Sequence, residues 1–374
     1  MKNGKLQVGI IGCGNIANTK HLPNLAKFPE RVEAVAFCDL ILEKAENTKK
    51  KFGTADALVC TDYKELIKLD LDAVYVCTPN RSHAELTIAA LETGHNVMCE
   101  KPMAINSAEA KKMIEAKNKS GKLLTIGYQN RYRKDTMTLK KLAQEGNIGE
   151  IYLAKAHALR RRGIPTWGVF TNKYEQGGGP LIDIGTHSLD ITLWIMDNYK
   201  PVSVFGATFD KLGNTLAGDE QGTEAHWDPK TYEVEDAAVG LVKFENGATV
   251  FLESSWILNT TCQKQAMATF YGAKAGVEMD YATPGGGEGT NRKLVINQIT
   301  AGQQSVEEIY LQEAENASSD LIFNYPGATA ECQTWLDAIS GKGELVVYPE
   351  QACVVTEILE AIYESARTGK LVEL

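Results

Sequence analysis

The sequence has no run of about 18 uncharged apolar residues, so no helix in it is predicted to cross a bilayer. Its opening residues, Met1-Lys2-Asn3-Gly4-Lys5-Leu6, lead straight into an apolar strand without a small-residue cleavage site, and no signal peptide is expected. None of the eight cysteines is spaced C-x-x-C. Five lie in or beside apolar runs, which reads as reduced, buried thiols in a cytoplasmic protein rather than a disulfide framework or zinc ribbon. No His-Glu-x-x-His or other metal spacing occurs among the six histidines, so no catalytic metal is expected. An excess of positive charge is also missing. Lys and Arg total 39 against 48 Asp and Glu, a formal net charge of -9, and such a surface repels phosphate backbones. Nucleic acid is therefore not expected as a partner. The 44% hydrophobic and 23% charged composition is that of an ordinary globular chain, and 374 residues at about 150 per domain predict two domains with ample core.

The first third alternates short apolar runs with amphipathic stretches. Strands are expected at 6–11, 32–38, 57–60, 72–77, 96–99 and 122–127, with helices near 16–28, 42–52, 82–92 and 107–119. The runs are continuously apolar (Val8-Gly9-Ile10-Ile11, Ala73-Val74-Tyr75-Val76), as in a parallel sheet buried on both faces. Ser82 and Ser107 stand where helix N-caps are expected. After about residue 128 longer strands dominate, near 151–159, 202–209, 237–244, 248–256 and 267–272, and Glu245-Asn246-Gly247 is a hairpin signal. Helices are predicted near 135–145, 180–196, 328–339 and 350–366, and Gly285-Gly286-Gly287 as a mobile loop. The fold class is therefore α/β: an N-terminal Rossmann dinucleotide-binding domain over 1–128, and a C-terminal α+β domain over 129–374 with a large, mostly antiparallel open sheet. The helices can cover one face of that sheet and a second subunit the other, so a homodimer or homotetramer is expected.

Gly12-Cys13-Gly14-Asn15-Ile16-Ala17 is G-x-G-x-x-A between a strand and a helix. Gly12 permits the tight turn, Gly14 lets a pyrophosphate approach the backbone, and Ala17 allows close packing; the helix N-terminus holds the anion. Asp39 ends the second strand at the spacing of a ribose-binding carboxylate. It would repel a 2′-phosphate, and Leu40 and Ile41 follow it rather than an arginine, so NAD is expected over NADP.

Thr78-Pro79-Asn80-Arg81-Ser82-His83 follows the fourth strand, Glu100-Lys101-Pro102 the fifth, and Gly177-Gly178-Gly179-Pro180-Leu181-Ile182-Asp183-Ile184-Gly185-Thr186-His187 lies in the second half. With the glycine motif, in this order, they resemble the Gfo/Idh/MocA oxidoreductases (glucose–fructose oxidoreductase, inositol dehydrogenase and relatives). The resemblance covers essentially the whole chain. It implies NAD(P)-dependent chemistry on sugar, cyclitol or glycoside hydroxyls, with Lys101 a catalytic residue. Lys101 stands just past a strand's carboxyl end, where a lysine can stabilise developing alkoxide charge.

Asp183 and His187, four apart, would share one helix face if Pro180 begins the helix. His187 can then act as general base and Asp183 orient it; the plainer alternative is a core histidine bonded to a neighbouring acid. Gly177–Gly179 would bring the preceding loop close to ligand, and Gly185 would leave room on the same face. His83 is expected to support the nicotinamide side, while His21, His95, His157 and His226 read as structural or exposed. Gly127-Tyr128-Gln129-Asn130-Arg131-Tyr132 resembles the family's Gly-aromatic-x-x-Arg segment, which implies Gln129 at the cofactor and Asn130 or Arg131 at the substrate. Arg160-Arg161-Arg162 and Trp167 read either as a solvated basic turn or as a substrate lid, with Trp167 stacked on a sugar and Arg161 bonding its hydroxyls.

The expected cofactor set is Gly12, Gly14, Asn15, Ile16, Asp39, Thr78, Pro79, Asn80, His83, Glu100, Lys101 and Gln129. The expected substrate set is Lys101, Asn130, Arg131, Arg161, Trp167, Asp183 and His187. The function expected is NAD-dependent hydride transfer at a secondary hydroxyl or ketone of a sugar, cyclitol or glycoside. Three rivals stay open: a same-fold NAD-dependent glycosidase, a sugar–sugar oxidoreductase that keeps its NAD bound, and a non-enzymatic NAD-sensing regulator.

Overall fold

The computed structural model describes residues 1–2, 4–215, 227–282, 291–311, 325 and 327–374. Gly285–Gly287 and His226 lie outside the described residues. Two compact units result, Met1–Gln129 with Ser318–Cys353, and Asn130–Ala317 with Val354–Leu374.

The first unit holds six strands, β1 (Leu6–Ile11), β2 (Val32–Cys38), β3 (Gly53–Cys60), β4 (Ala73–Val76), β5 (Asn96–Cys99) and β6 (Leu124–Ile126). All pair in parallel, in the order β3-β2-β1-β4-β5-β6. Every residue of β1, β4 and β6 is buried, as continuous apolar runs require. The order reverses between β1 and β4, and at that switch point the carboxyl ends of the strands form the ligand-binding edge of such sheets. The segment after the glycine loop is helical over 15–25 but passes through a π turn at Ala17–His21, a local widening frequent at functional sites. The helix Ser107–Ser120 is capped one residue earlier than expected: extended Asn106 places its Oδ1 to accept from the Glu109 N–H at 2.9 Å. Ser82 caps nothing; its hydroxyl donates to the Pro79 carbonyl at 2.9 Å and lies 2.7 Å from the Thr78 hydroxyl.

One element of this unit comes from far along the chain. In the helix Ala328–Ile339, Cys332, Trp335 and Leu336 join the core of Val8, Ile10, Phe37 and Tyr75. Arg31 pairs with Asp337 at 2.6 Å and Lys27 donates to Thr329 at 2.7 Å. The division expected at 128/129 had kept everything after 128 in one domain. Helical periodicity shows which face of 328–339 is apolar, but not which sheet that face covers.

The second unit contains β7 (Ile151–Leu159), β8 (Pro201–Phe209), β9 (Ala237–Phe244), β10 (Thr249–Ser255), β11 (Lys264–Gly272), β12 (Ala275–Tyr281), β13 (Arg292–Thr300), β14 (Gln303–Leu311) and β15 (Val372–Glu373). Their order is β14-β13-β12-β11-β7-β10-β9-β8-β15, antiparallel except for the parallel β7–β10 pair. The β9–β10 hairpin turns at Glu245-Asn246-Gly247, with Gly247 at φ +87°. Small buried residues on β7 (Ala154, Ala156, Ala158) let the helix Thr186–Met196 pack onto the sheet. Ile362, in the helix Pro349–Thr368, fills the space above Gly206 and Gly240, where a Cβ would stand 2.7 and 2.4 Å from its side chain. On the opposite face Phe205 and Leu241, cross-strand neighbours, remain 49% exposed. Among the described residues no helix is long and apolar enough to cross a membrane, and no group of three or more His, Cys, Asp or Glu could hold a metal ion.

Candidate active site

Every dinucleotide candidate in the first unit stands at or beside the carboxyl edge of the parallel sheet. Gly12 follows β1 at φ +92°, and a Cβ there would lie 2.5 Å from the Cys77 carbonyl oxygen, so no other residue fits. Gly14 differs: nothing lies within 4 Å of where its Cβ would be, which leaves the loop open to a ligand. Asn15 and Ile16 begin the helical segment, and Ala17 is fully buried. The Cys13 thiol, buried and beside the Asp39 carboxylate, is pushed up to about 12 and is chemically quiet.

Asp39 is tied to the backbone on both sides of its own strand end. Its Oδ2 accepts from the Cys13 N–H at 2.8 Å and its Oδ1 from the Ile41 N–H at 2.9 Å. The carboxylate thus clamps the glycine loop while each oxygen keeps a further lone pair. Leu40 beside it is 91% exposed and Ile41 is also exposed, an apolar ledge next to an acid.

Thr78, Pro79 and Asn80 follow β4, and Lys101 follows β5, half-buried and ahead of a cis Lys101–Pro102 peptide. Two residues expected at the cofactor, His83 and Glu100, are buried and bonded within the protein. His83 is fully buried, with Nδ1 2.8 Å from the Pro102 carbonyl and Nε2 2.9 Å from the Thr78 carbonyl, and burial pushes its imidazole below the ordinary value. It ties the two loops together. Glu100 is buried too: its Oε1 receives Lys20 Nζ and His21 Nε2, both at 2.8 Å, and its Oε2 receives the Lys101 N–H at 3.1 Å. The Gln129 side-chain Oε1 accepts from Lys20 at 3.2 Å.

In the second unit Leu181–Gly185 is also a π turn, continuing into the helix Thr186–Met196. It carries Asp183 and His187, both largely buried. Asp183 Oδ2 accepts from the indole N–H of fully buried Trp256 at 3.0 Å, which sets the orientation of the carboxylate. The glycine run ahead of it serves packing rather than close approach to a ligand. A Cβ on Gly178 would stand 2.0 Å from the Tyr363 hydroxyl, and one on Gly179 2.5 Å from the Glu235 carbonyl. The Glu235 carboxylate accepts from the Gly179 and Leu181 N–H groups at 2.9 and 3.1 Å and from the Tyr363 hydroxyl at 2.8 Å, so it caps the segment that bears Asp183. Gly185 faces Ser254 of β10, 3.3 Å from where its Cβ would be, rather than making room for substrate.

The remaining substrate candidates separate. Arg131 is fully buried and pairs with Asp190 through Nε at 2.9 Å and Nη2 at 2.6 Å, with its guanidinium over the Trp194 ring. Asn130 Oδ1 accepts from Arg133 at 3.2 Å. Of the three arginines, Arg160 donates to Gln265 and Arg162 to Leu258 and Asn259, while Arg161 is the exposed one. Trp167 is 46% exposed and meets Phe170 edge-on at 5.9 Å, and Phe170 meets Trp256 at 6.3 Å. A row of rings therefore runs from the surface to the indole that holds Asp183.

Lys20, Glu235, Trp256 and Glu331 were missed in the sequence. Only Lys20 left a trace there: it stands with His21 between Ala17 and Leu22 in the helical segment that follows the glycine loop.

A family model described as "Oxidoreductase family, NAD-binding Rossmann fold" matches residues 6–128, and its companion, "Oxidoreductase family, C-terminal alpha/beta domain", matches 140–374. The chain belongs to the Gfo/Idh/MocA oxidoreductase family. It is 36% identical to a D-glucoside 3-dehydrogenase of Escherichia coli K12 over 375 residues, 100% of this chain and 99% of that one. An inositol 2-dehydrogenase of Salmonella paratyphi B is 32% identical over 214 residues, 56% of this chain and 61% of that one. Among solved structures, an aldose-aldose oxidoreductase from Caulobacter crescentus complexed with glycerol superposes with a TM-score of 0.77 at 26% identity, covering 99% of this chain and 100% of that one. This Gfo/Idh/MocA chain is thus a NAD-binding oxidoreductase whose relatives are sugar and cyclitol dehydrogenases.

Proposed function

We propose that the chain is an NAD-preferring dehydrogenase oxidising a secondary ring hydroxyl of a glycoside, sugar or cyclitol, or running the reverse reduction, with glucosides the first substrates to test. The observation that carries the reading is the pair Asp183 and His187 on one helical segment, with the Asp183 carboxylate aimed by Trp256. The open space over Gly14, the Asp39 carboxylate and the helix start fit a dinucleotide. NAD, when bound, supplies the hydride acceptor. His187 takes the hydroxyl proton, Asp183 holds the imidazole or a neighbouring hydroxyl, and the Lys101 ammonium stabilises the alkoxide. Exposed Leu40 and Ile41 offer an apolar seat for adenine and no cation for a 2′-phosphate, which favours NAD over NADP. Arg161 and Trp167 are the exposed donors and ring for the sugar.

A second copy of the chain covers the apolar Phe205–Leu241 face in this reading, and the eight free cysteines suit a reducing, cytoplasmic setting. The test is a panel of glycosides, sugars and cyclitols followed by NADH absorbance, with sugar release assayed in parallel. Net NADH with a glucoside supports the reading, whereas sugar release without NADH, or no turnover on any substrate, overturns it. Lys101→Ala and His187→Ala should each cost at least ~100-fold in kcat, and near-normal turnover removes that residue from the mechanism.

A further inference from the structure

Lysine is almost never fully buried unless it is paired. Lys20, 1% exposed in the π turn after the glycine loop, is paired more than once. Its ammonium stands 2.8 Å from Glu100 Oε1, 3.0 Å from Glu331 Oε2 and 3.2 Å from Gln129 Oε1. Neutralising one cation needs one carboxylate. The second arrives on the helix Ala328–Ile339, which the chain returns to this unit.

The arrangement does more than bury charge. Burial resists ionisation of Glu100, yet the Lys20 ammonium and His21 hold its carboxyl well below the usual range. The carboxylate so formed keeps Oε1 toward the cluster and turns Oε2 to the Lys101 backbone N–H at 3.1 Å. On the other side of Glu100, Gly127 has no room for a side chain: a Cβ there would lie 2.8 Å from Oε1. The carboxylate is therefore confined from both sides, and the backbone of Lys101 hangs on it.

We propose that Lys20 and Glu331 are positioning residues for hydride transfer: they pin Glu100 so that its second oxygen holds the Lys101 backbone, and with it the amine, in the reactive place. This rests on the reading that the Lys101 amine stabilises the alkoxide.

The test uses the full-length enzyme saturated with NAD. Lys20→Met alone takes the ammonium from both buried acids, leaving Glu331 with no cation and Glu100 with His21 only, and can fail to fold, so the decisive variants are Glu331→Leu and the double Lys20→Met/Glu331→Leu, which replaces the Lys20–Glu331 pair by apolar groups of similar size and leaves Glu100 on His21. Both should bind NAD within about twofold of the parent. Both should lose at least ~10-fold in kcat, as a displaced catalytic group does. Glu331→Gln, which keeps an acceptor for Lys20, should restore most of the rate. In a Lys101→Ala background the same substitutions should cost nothing further, because the group they position is gone.

Parent-like kcat in Glu331→Leu and the double variant overturns the proposal, as does a loss confined to NAD affinity. Costs that add in full to Lys101→Ala overturn it too, since the cluster would then act elsewhere. A near-normal Lys101→Ala enzyme instead overturns the reading on which the proposal rests.

Discussion

A single methyl group added at two positions of the glycine loop should have opposite consequences. At Gly12 the backbone lies at φ +92°, and the new Cβ would stand 2.5 Å from the Cys77 carbonyl oxygen, 2.6 Å from the Cys77 carbonyl carbon and 2.9 Å from the Thr78 nitrogen. All three are backbone atoms, so no rotamer change relieves the contact. The left-handed conformation alone costs about 1–2 kcal/mol, and the clash at least as much again, so Gly12→Ala should lose roughly 2–4 kcal/mol without any ligand. At about 2 °C per kcal/mol for a large chain, its unfolding temperature should fall by roughly 4–8 °C. At Gly14 nothing lies within 4 Å and φ is not in the left-handed region. Gly14→Ala should therefore leave the ligand-free protein unchanged or up to about 1 kcal/mol more stable. Its cost should appear only with NAD: a ligand at 100 times its dissociation constant stabilises by about 2.7 kcal/mol, and most of that should vanish when the methyl group occupies the pyrophosphate's place. Thermal unfolding of both variants with and without NAD, alongside calorimetric titration, separates the two effects. A Gly14→Ala protein that keeps the parent's full NAD-induced shift would refute the placement of the pyrophosphate, and a Gly12→Ala protein as stable as the parent would refute the steric argument.

Asp39→Asn should raise the KM for NAD by roughly 10- to 100-fold, because one change weakens both the clamp on Cys13 and the bond to the ribose, and it should narrow the preference against NADP; initial rates with both cofactors decide this, and unchanged selectivity would contradict it. Arg131→Met leaves Asp190 buried without its cation and should cost about 3–5 kcal/mol of stability while the substrate KM stays put; a stable variant with a raised KM would return Arg131 to the substrate. Glu100 gives an acid limb to stability. Burial opposes its ionisation, but Lys20 and His21 depress its carboxyl, so its contribution is complete above the unfolded value of about 4.3 and is lost as pH falls through the lower folded value. Denaturant titrations of Glu100→Gln should thus show a flatter decline below about pH 4 than the parent, and parallel curves would mean that Glu100 is not the group responsible.

The parallel sheet was legible because its signals are local. Strands expected at 6–11, 32–38 and 96–99 match β1, β2 and β5 residue for residue, since an apolar run bounded by turn residues has few other places to go. The Asn-Gly hairpin and the tight turn at Gly12 belong to the same class: a backbone that must reach positive φ chooses glycine whatever surrounds it. The motif residues were legible as a set, but their individual tasks were not. Arg131 looked like a substrate arginine and pairs with Asp190; His83 looked like a cofactor residue and joins two carbonyls; Gly178 and Gly179 looked like room for a ligand and are room for Tyr363 and Glu235.

By itself, then, the order of residues determined which strands form, where the chain must turn, and which edge of the sheet gathers the dinucleotide candidates. Those outcomes follow from the conformational limits and apolar pattern of neighbouring residues. Only the tertiary structure decided which distant partner each buried polar group takes: Lys20 with Glu331 from the returning helix, Asp183 with Trp256, the segment bearing Asp183 with Glu235. A buried donor or charge must find a partner, but nothing in its own neighbourhood along the chain says which of many will be brought within 3 Å, a distance at which about one bond length decides whether the interaction exists.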